Sequence, residues 1–134
     1  MEIRSLKVMM VEDDDHFRQT LKKLLMSQFP SFSFEEARDG REAMEKIETY
    51  LPDLVFMDIK LPGENGLELT KKIKRMHPVT VVIILTGYDM PEYRQAAHES
   101  GANHFASKES SSATEILGLV ESISFQGPGR FVLR

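Results

Sequence analysis

Leu54-Val55-Phe56-Met57-Asp58 is the stretch on which the fold turns. Four apolar residues run straight into a carboxylate, with Pro62 and Gly66 a few positions on. A short, unbroken apolar run bounded by turn residues reads as a strand covered on both faces, the habit of a parallel sheet. The strand stops at Asp58, so this carboxylate stands at a strand mouth, where it is either a capping group or a reactive one.

Upstream, Leu6 to Val11 is a second short apolar run, ending in the acidic block Glu12-Asp13-Asp14-Asp15. From His16 to Phe29, Phe17, Leu21, Leu24, Leu25 and Phe29 recur at helical spacing, and Pro30 ends the pattern. Phe32 and Phe34 alternate with serines, a period of two that marks a less buried strand. Asp39 and Glu42 have capping-box spacing before a second helix carrying Ala43, Met44 and Ile47, which Pro52 closes.

Downstream, the loop Ile59 to Asn65 leads to a third helix through Leu67 and Ile73 to about Met76, broken by His77-Pro78. Val79 to Leu85 is a β-branched strand ending at Thr86-Gly87. Asp89 and Glu92, with Pro91 in the first turn, predict a capped fourth helix to about Ser100. Asn103 to Ala106 reads as a fifth strand before Ser107-Lys108, and Ser112 with Glu115 caps a last helix to about Ile123. Residues 1–123 are thus one domain, and 124–134, with Gly127-Pro128-Gly129, read as a tail or truncated linker.

Five strands alternating with helices predict an α/β fold: a five-stranded parallel sheet in the order 2-1-3-4-5, doubly wound as a three-layer sandwich. With 134 residues one core suffices, and 41% hydrophobic with 28% charged residues is the composition of a soluble globular domain. The absence of cysteine excludes a disulfide framework and thiolate metal sites and suits a cytoplasmic setting. No signal-peptide pattern or membrane-length apolar run occurs, and a net charge of −4 argues against this segment gripping DNA by itself.

In such a sheet ligands bind outside the carboxyl ends of the strands, where strand order reverses. Glu12 and Asp13 follow strand one, Asp58 ends strand three, Thr86 ends strand four and Lys108 follows strand five. Carboxylates meeting at one mouth repel by about 4 kcal/mol per pair at about 4 Å and an effective dielectric near 20. A hard divalent cation such as Mg²⁺ and the Lys108 ammonium would offset this, leaving Asp58 able to attack a phosphoryl group. Taken singly, each residue has a bland reading: Asp14 and Asp15 as a helix-capping turn, Thr86 as a cap, Phe105 as core, Lys108 as surface. The four histidines lack ligand spacing, and Met9, Met10, Met44 and Met57 read as core filler.

Glu12-Asp13, Asp58 with Pro62 and Gly66, Thr86-Gly87, Gly101-Ala102 with Phe105, and Lys108, in this order over residues 5–123, resemble the receiver domain of two-component response regulators, whose fold is flavodoxin-like. The resemblance implies a phosphoacceptor switch rather than a turnover enzyme. Asp58 would take a phosphoryl group from a sensor histidine kinase or phosphotransfer protein. Glu12, Asp13, Asp58 and the backbone carbonyl of Lys60 would hold Mg²⁺, and Lys108 would contact the phosphoryl oxygens. Thr86 and Phe105 would form the switch, altering the face of helix four, strand five and helix five. That face would carry output or a homodimer, and any DNA contact would come through a domain outside this chain.

Departures from the family pattern are informative. Glu109 stands where many receivers have proline, and Glu12 replaces a common aspartate, its longer arm reaching the metal through water. Lys60 and Tyr88, each two residues past a site residue, sit where the family tunes phosphate lifetime. A phosphohydrolase of the aspartyl-phosphate kind would carry a second carboxylate at the position of Lys60. A degenerate, partner-binding receiver would not need Asp58, Thr86 and Lys108 together.

Overall fold

The computed structural model describes residues 4–126. Five strands, β1 (Lys7–Val11), β2 (Ser33–Ala37), β3 (Leu54–Met57), β4 (Val81–Thr86) and β5 (His104–Ser107), form one parallel sheet in the order β2-β1-β3-β4-β5, the expected topology. They alternate with α1 (Asp15–Gln28), α2 (Gly40–Tyr50), α3 (Gly66–Met76), α4 (Pro91–Glu99) and α5 (Ala113–Gln126).

The sheet separates two apolar layers because successive side chains point to opposite faces. Val8, Met10, Phe56 and Ile83 pack with Leu21 and Leu25 of α1 and Ile116 and Val120 of α5. Met9, Val11, Met57 and Ile84 pack with Ile47 of α2, Leu69 and Ile73 of α3 and Ala97 of α4. Both faces being covered, β3 and β4 are buried along their whole length, which is why their sequences do not alternate. At the edge, β2 is only half-buried over Phe34, Glu35 and Glu36.

Most helix boundaries follow the expected chemistry. Asp14 caps α1 by accepting from Phe17 N–H, Asp39 caps α2 by accepting from Glu42 N–H, and Ser112 and Glu115 bond reciprocally ahead of α5. In α2 the return bond from Glu42 goes to Arg38 N–H, one residue before the cap. The expected box at α4 does not form. Met90 is the N-cap and makes no side-chain bond, because the Asp89 carboxylate is taken by Arg94 at 2.6 Å.

β5 lies one residue later than the expected Asn103–Ala106, and two boundaries shift further. β4 begins at Val81 rather than Val79, because Thr80 N–H turns back to the His77 carbonyl and the Thr80 hydroxyl to that of Pro52. α5 continues past Ile123 to Gln126, since Ser124 is buried and its hydroxyl donates to the Arg4 carbonyl at 2.6 Å. Gly127-Pro128-Gly129, read as linker, lies outside the described residues.

Candidate functional site

The site forms where the connections from β1 and β3 leave the sheet in opposite directions, β1 turning toward β2 at one edge and β3 leading to β4 on the other side. Val11 and Met57 are register partners, so Glu12 and Asp58 emerge side by side. Thr86 and Ser107 are also partners, which sets Lys108 next to the end of β4, its N–H donating to the Thr86 carbonyl at 2.9 Å.

Glu12, Asp13 and Asp58 each bring a carboxylate oxygen within 4.8 Å of the others. The Lys108 ammonium reaches Glu12 Oε1 at 2.8 Å and Asp58 Oδ2 at 3.3 Å, while Phe17 lies beneath it with the ring centroid 4.5 Å away. Ile59 N–H donates to Asp58 Oδ1 at 2.8 Å, fixing the carboxylate's orientation. Glu12 is 5% exposed, and burial, aided by the Asp58 charge and opposed by its bonds to Lys108 and Asp14 N–H, pushes its carboxyl up to about 7. Burial also works against the charge on Lys108, but its bond to Glu12 and the field of Asp58 outweigh it and raise the lysine's pKa. One ammonium against three carboxylates leaves the cluster short of positive charge. The hard oxygen donors of this acidic cluster fit Mg²⁺ by the chemistry of the donor set.

Gly66 is required by this geometry. Its N–H donates to the Ile59 carbonyl, and a Cβ there would lie 1.8 Å from the Asp58 carbonyl oxygen. The loop from Asp58 into α3 closes only with no side chain at that point.

Thr86 is fully buried, and its hydroxyl accepts from Tyr88 N–H at 3.3 Å. Phe105 is half-buried, with the Arg94 guanidinium 4.7 Å from its ring centroid. Lys60 is exposed, its ammonium 5.3 Å from the Tyr88 ring centroid and 5.9 Å from that of Tyr93. Where many receivers carry proline, Glu109 has an N–H, and it donates to Ser107 Oγ at 3.2 Å together with Ser110 N–H at 3.1 Å. That turn, rather than a proline ring, anchors the chain after Lys108.

The structure thus brings Glu12, Asp13, Asp58 and Lys108 together; Thr86 ends β4 and Lys60 follows Asp58 by two residues, while Phe105 stands within β5 against Arg94 of α4. Reading the sequence passed over Arg18, which is 5% exposed and donates to the Glu12 carbonyl at 2.6 Å. The signal was available: Arg18 falls three and seven residues before Leu21 and Leu25, on the buried stripe of α1.

Residues 8–121 match the model of the response regulator receiver domain, and the chain belongs to that family. It is similar to the transcriptional regulatory protein DegU of Brevibacillus brevis, 32% identical over 111 residues, 81% of this chain and 47% of that protein. It is also similar to the chemotaxis protein CheY of Halobacterium salinarum, 33% identical over 102 residues, 76% of this chain and 83% of that one. Among solved structures, a two-component response regulator of the LuxR family from Aurantimonas sp. SI85-9A1 superposes with a TM-score of 0.81 at 29% identity, covering 90% of this chain and 86% of the other. Other relatives are a methylesterase and a phosphodiesterase, and the chain spans less than half the length of these two and of DegU. Receiver domains are signalling switches, and this chain has their fold and their acidic pocket.

Proposed function

We propose that Asp58 is the phosphoacceptor of this receiver. The observation that carries the reading is the Lys108 ammonium bridging Glu12 Oε1 at 2.8 Å and Asp58 Oδ2 at 3.3 Å, beside a cluster of three carboxylates. A sensor histidine kinase or phosphotransfer protein presents a phosphohistidine. The bond from phosphorus to the imidazole nitrogen breaks, a bond from phosphorus to an Asp58 carboxylate oxygen forms, and the released histidine regains a proton from solvent.

In a loose phosphoryl-transfer transition state negative charge spreads over the equatorial oxygens, so positioning and cations supply most of the acceleration. Lys108 is such a cation, held at the mouth by Glu12. Glu12, Asp13, Asp58 and the Lys60 carbonyl would hold Mg²⁺, which when bound neutralises the carboxylates and stabilises charge on the phosphoryl group. The Glu12 arm, engaged by Lys108, suits contact through water.

Thr86 and Phe105 form the switch. A phosphoryl group on Asp58 offers the Thr86 hydroxyl a stronger acceptor than its present role beside Tyr88 N–H gives it, and its movement frees space for the Phe105 ring. Inverting a 1:99 equilibrium takes about 5.5 kcal/mol, within reach of a few charge-assisted bonds. The face of α4, β5 and α5 then changes and acts on an effector or forms a homodimer. The similarity to transcriptional regulatory proteins of which this chain spans about half supports an effector outside this chain, transcriptional in kind, with DNA contacted only by that effector. Among the described residues no helix is long and apolar enough to cross a membrane, and a cytoplasmic site of action fits this role.

The test is intact mass after incubation with Mg²⁺ and acetyl phosphate. The parent is expected to gain a single phosphoryl group only with Mg²⁺, and Asp58→Asn none. No addition to the parent, with no beryllofluoride binding either, would favour a degenerate receiver that acts by partner binding alone.

A further inference from the structure

Arg18 carries a permanent charge yet is 5% exposed, on the apolar stripe of α1 with Leu21 and Leu25. Its guanidinium meets a separate acceptor in each direction. Nη1 donates to the Glu12 carbonyl at 2.6 Å, Nε to Glu36 Oε1 at 2.6 Å, and Nη2 to the Asp15 carboxylate. Glu36 is in turn held by Lys22 at 2.9 Å and Gln19 at 2.7 Å.

Packing alone does not explain this side chain. A buried ion pair can commonly be replaced by apolar residues of similar volume at no cost to stability, and a leucine would continue the stripe. What the guanidinium adds is geometry. The Glu12 carbonyl belongs to the peptide joining Glu12 to Asp13, so its direction governs where both carboxylates point. The Glu12 N–H is fixed by the Ala37 carbonyl at 2.9 Å and its Oε2 by Asp14 N–H at 3.0 Å. Arg18 fixes the remaining backbone group, and does so from Glu36 on the edge strand β2.

We infer that Arg18 is a positioning residue for the acidic turn: by holding the Glu12–Asp13 peptide against β2 it keeps both carboxylates turned toward Asp58 and so sets the affinity for the divalent cation. The inference rests on the reading of Asp58 and its neighbours as a Mg²⁺-dependent phosphoacceptor site. Lysine cannot replace it, because one ammonium cannot span acceptors set around a planar fork.

The experiment is a titration with Mg²⁺ alone, followed by backbone amide NMR, on the parent, Arg18→Lys, Arg18→Met and the charge control Lys22→Met, with thermal midpoints measured without metal. Both Arg18 variants should bind Mg²⁺ about tenfold more weakly, the scale seen when groups orienting metal ligands are removed, while Lys22→Met stays within about twofold of the parent. At saturating Mg²⁺ the Arg18 variants should regain most of the parent's phosphorylation rate with acetyl phosphate. If Arg18→Met fails to fold, Arg18→Lys decides. A dissociation constant within about twofold of the parent's, whatever the thermal midpoint, overturns the inference, as does equal weakening by Lys22→Met. A parent that binds no Mg²⁺ overturns the reading of the site itself, and this inference with it.

Discussion

The Arg94 guanidinium of α4 lies 4.7 Å from the Phe105 ring centroid on β5 while its Nε donates to Asp89 at 2.6 Å, so the ring is braced by a charge that is itself tethered. An inward move of Phe105 has to give up this contact. Partly exposed cation–π pairs are worth about 0.5–1 kcal/mol, a bias of about two- to fivefold on a two-state equilibrium. Arg94→Ala should therefore favour the inward ring and tighten beryllofluoride binding by about that factor, with Asp58 chemistry otherwise intact. Fluorine NMR of a labelled Phe105, with unchanged populations in the variant, would show that the contact does not bias the switch.

Gly66 and Asp58 are related just as tightly. Because a Cβ at position 66 would fall 1.8 Å from the Asp58 carbonyl oxygen, Gly66→Ala must displace the Asp58 backbone itself. We expect a loss of about 1–3 kcal/mol in denaturant unfolding, typical of overpacking, together with loss of Mg²⁺-dependent phosphorylation. Gly118→Ala on α5, where a Cβ meets nothing within 4 Å, should leave phosphorylation unchanged and stabilise slightly. Equal behaviour of the two variants would remove the argument.

The pH course of Mg²⁺ binding follows from Glu12. Its carboxyl, ordinarily at 4.5, is raised to about 7, so the folded protein holds this proton more tightly than the unfolded chain does. In metal-free protein its contribution to stability is fully present below the ordinary value and is lost as pH rises through about 7. A cation competes with that proton. Mg²⁺ affinity should therefore climb with pH below about 7, by less than the tenfold per unit of full one-proton competition because Glu12 reaches the ion through water, and level off above it. Glu12→Gln should flatten the slope, and calorimetry in buffers of different ionisation enthalpy would count the proton released. A parent affinity independent of pH would contradict the raised carboxyl.

Much of this was legible in the chain because the fold writes itself as periodicity. β3 and β4 read as strands since both faces are covered, and their last residues announced the site. The start of α4 is not legible for a local reason: Asp89 and Glu92 have the spacing of a capping box, but spacing does not reveal that Arg94 competes for the same carboxylate. Ser107 was passed over because its hydroxyl matters only once the chain folds back, where it gathers the N–H groups of Glu109 and Ser110. Arg18 illustrates the opposite case, a charge on an apolar stripe that periodicity alone could have flagged.

Lys60 and Tyr88, two residues past Asp58 and Thr86, meet beside the site with Tyr93 of α4: the lysine ammonium is 5.3 Å from one ring centroid and 5.9 Å from the other, and the two rings are 5.6 Å apart. Hydrolysis of an aspartyl phosphate needs a water in line with the bond that breaks, and side chains packed over the mouth restrict its approach. Lys60 packs on the Tyr88 ring, and Tyr88 N–H donates to the Thr86 hydroxyl at 3.3 Å. Removing either side chain should therefore quicken loss of the phosphoryl group, and because the two act as one cover, the double variant should be little faster than the faster single. The measurement is the decay of phosphorylated protein after removal of the donor, followed by intact mass for Lys60→Ala, Tyr88→Ala and the pair. An unchanged decay rate in both single variants would end the idea. Full additivity would mean that the two side chains restrict water independently.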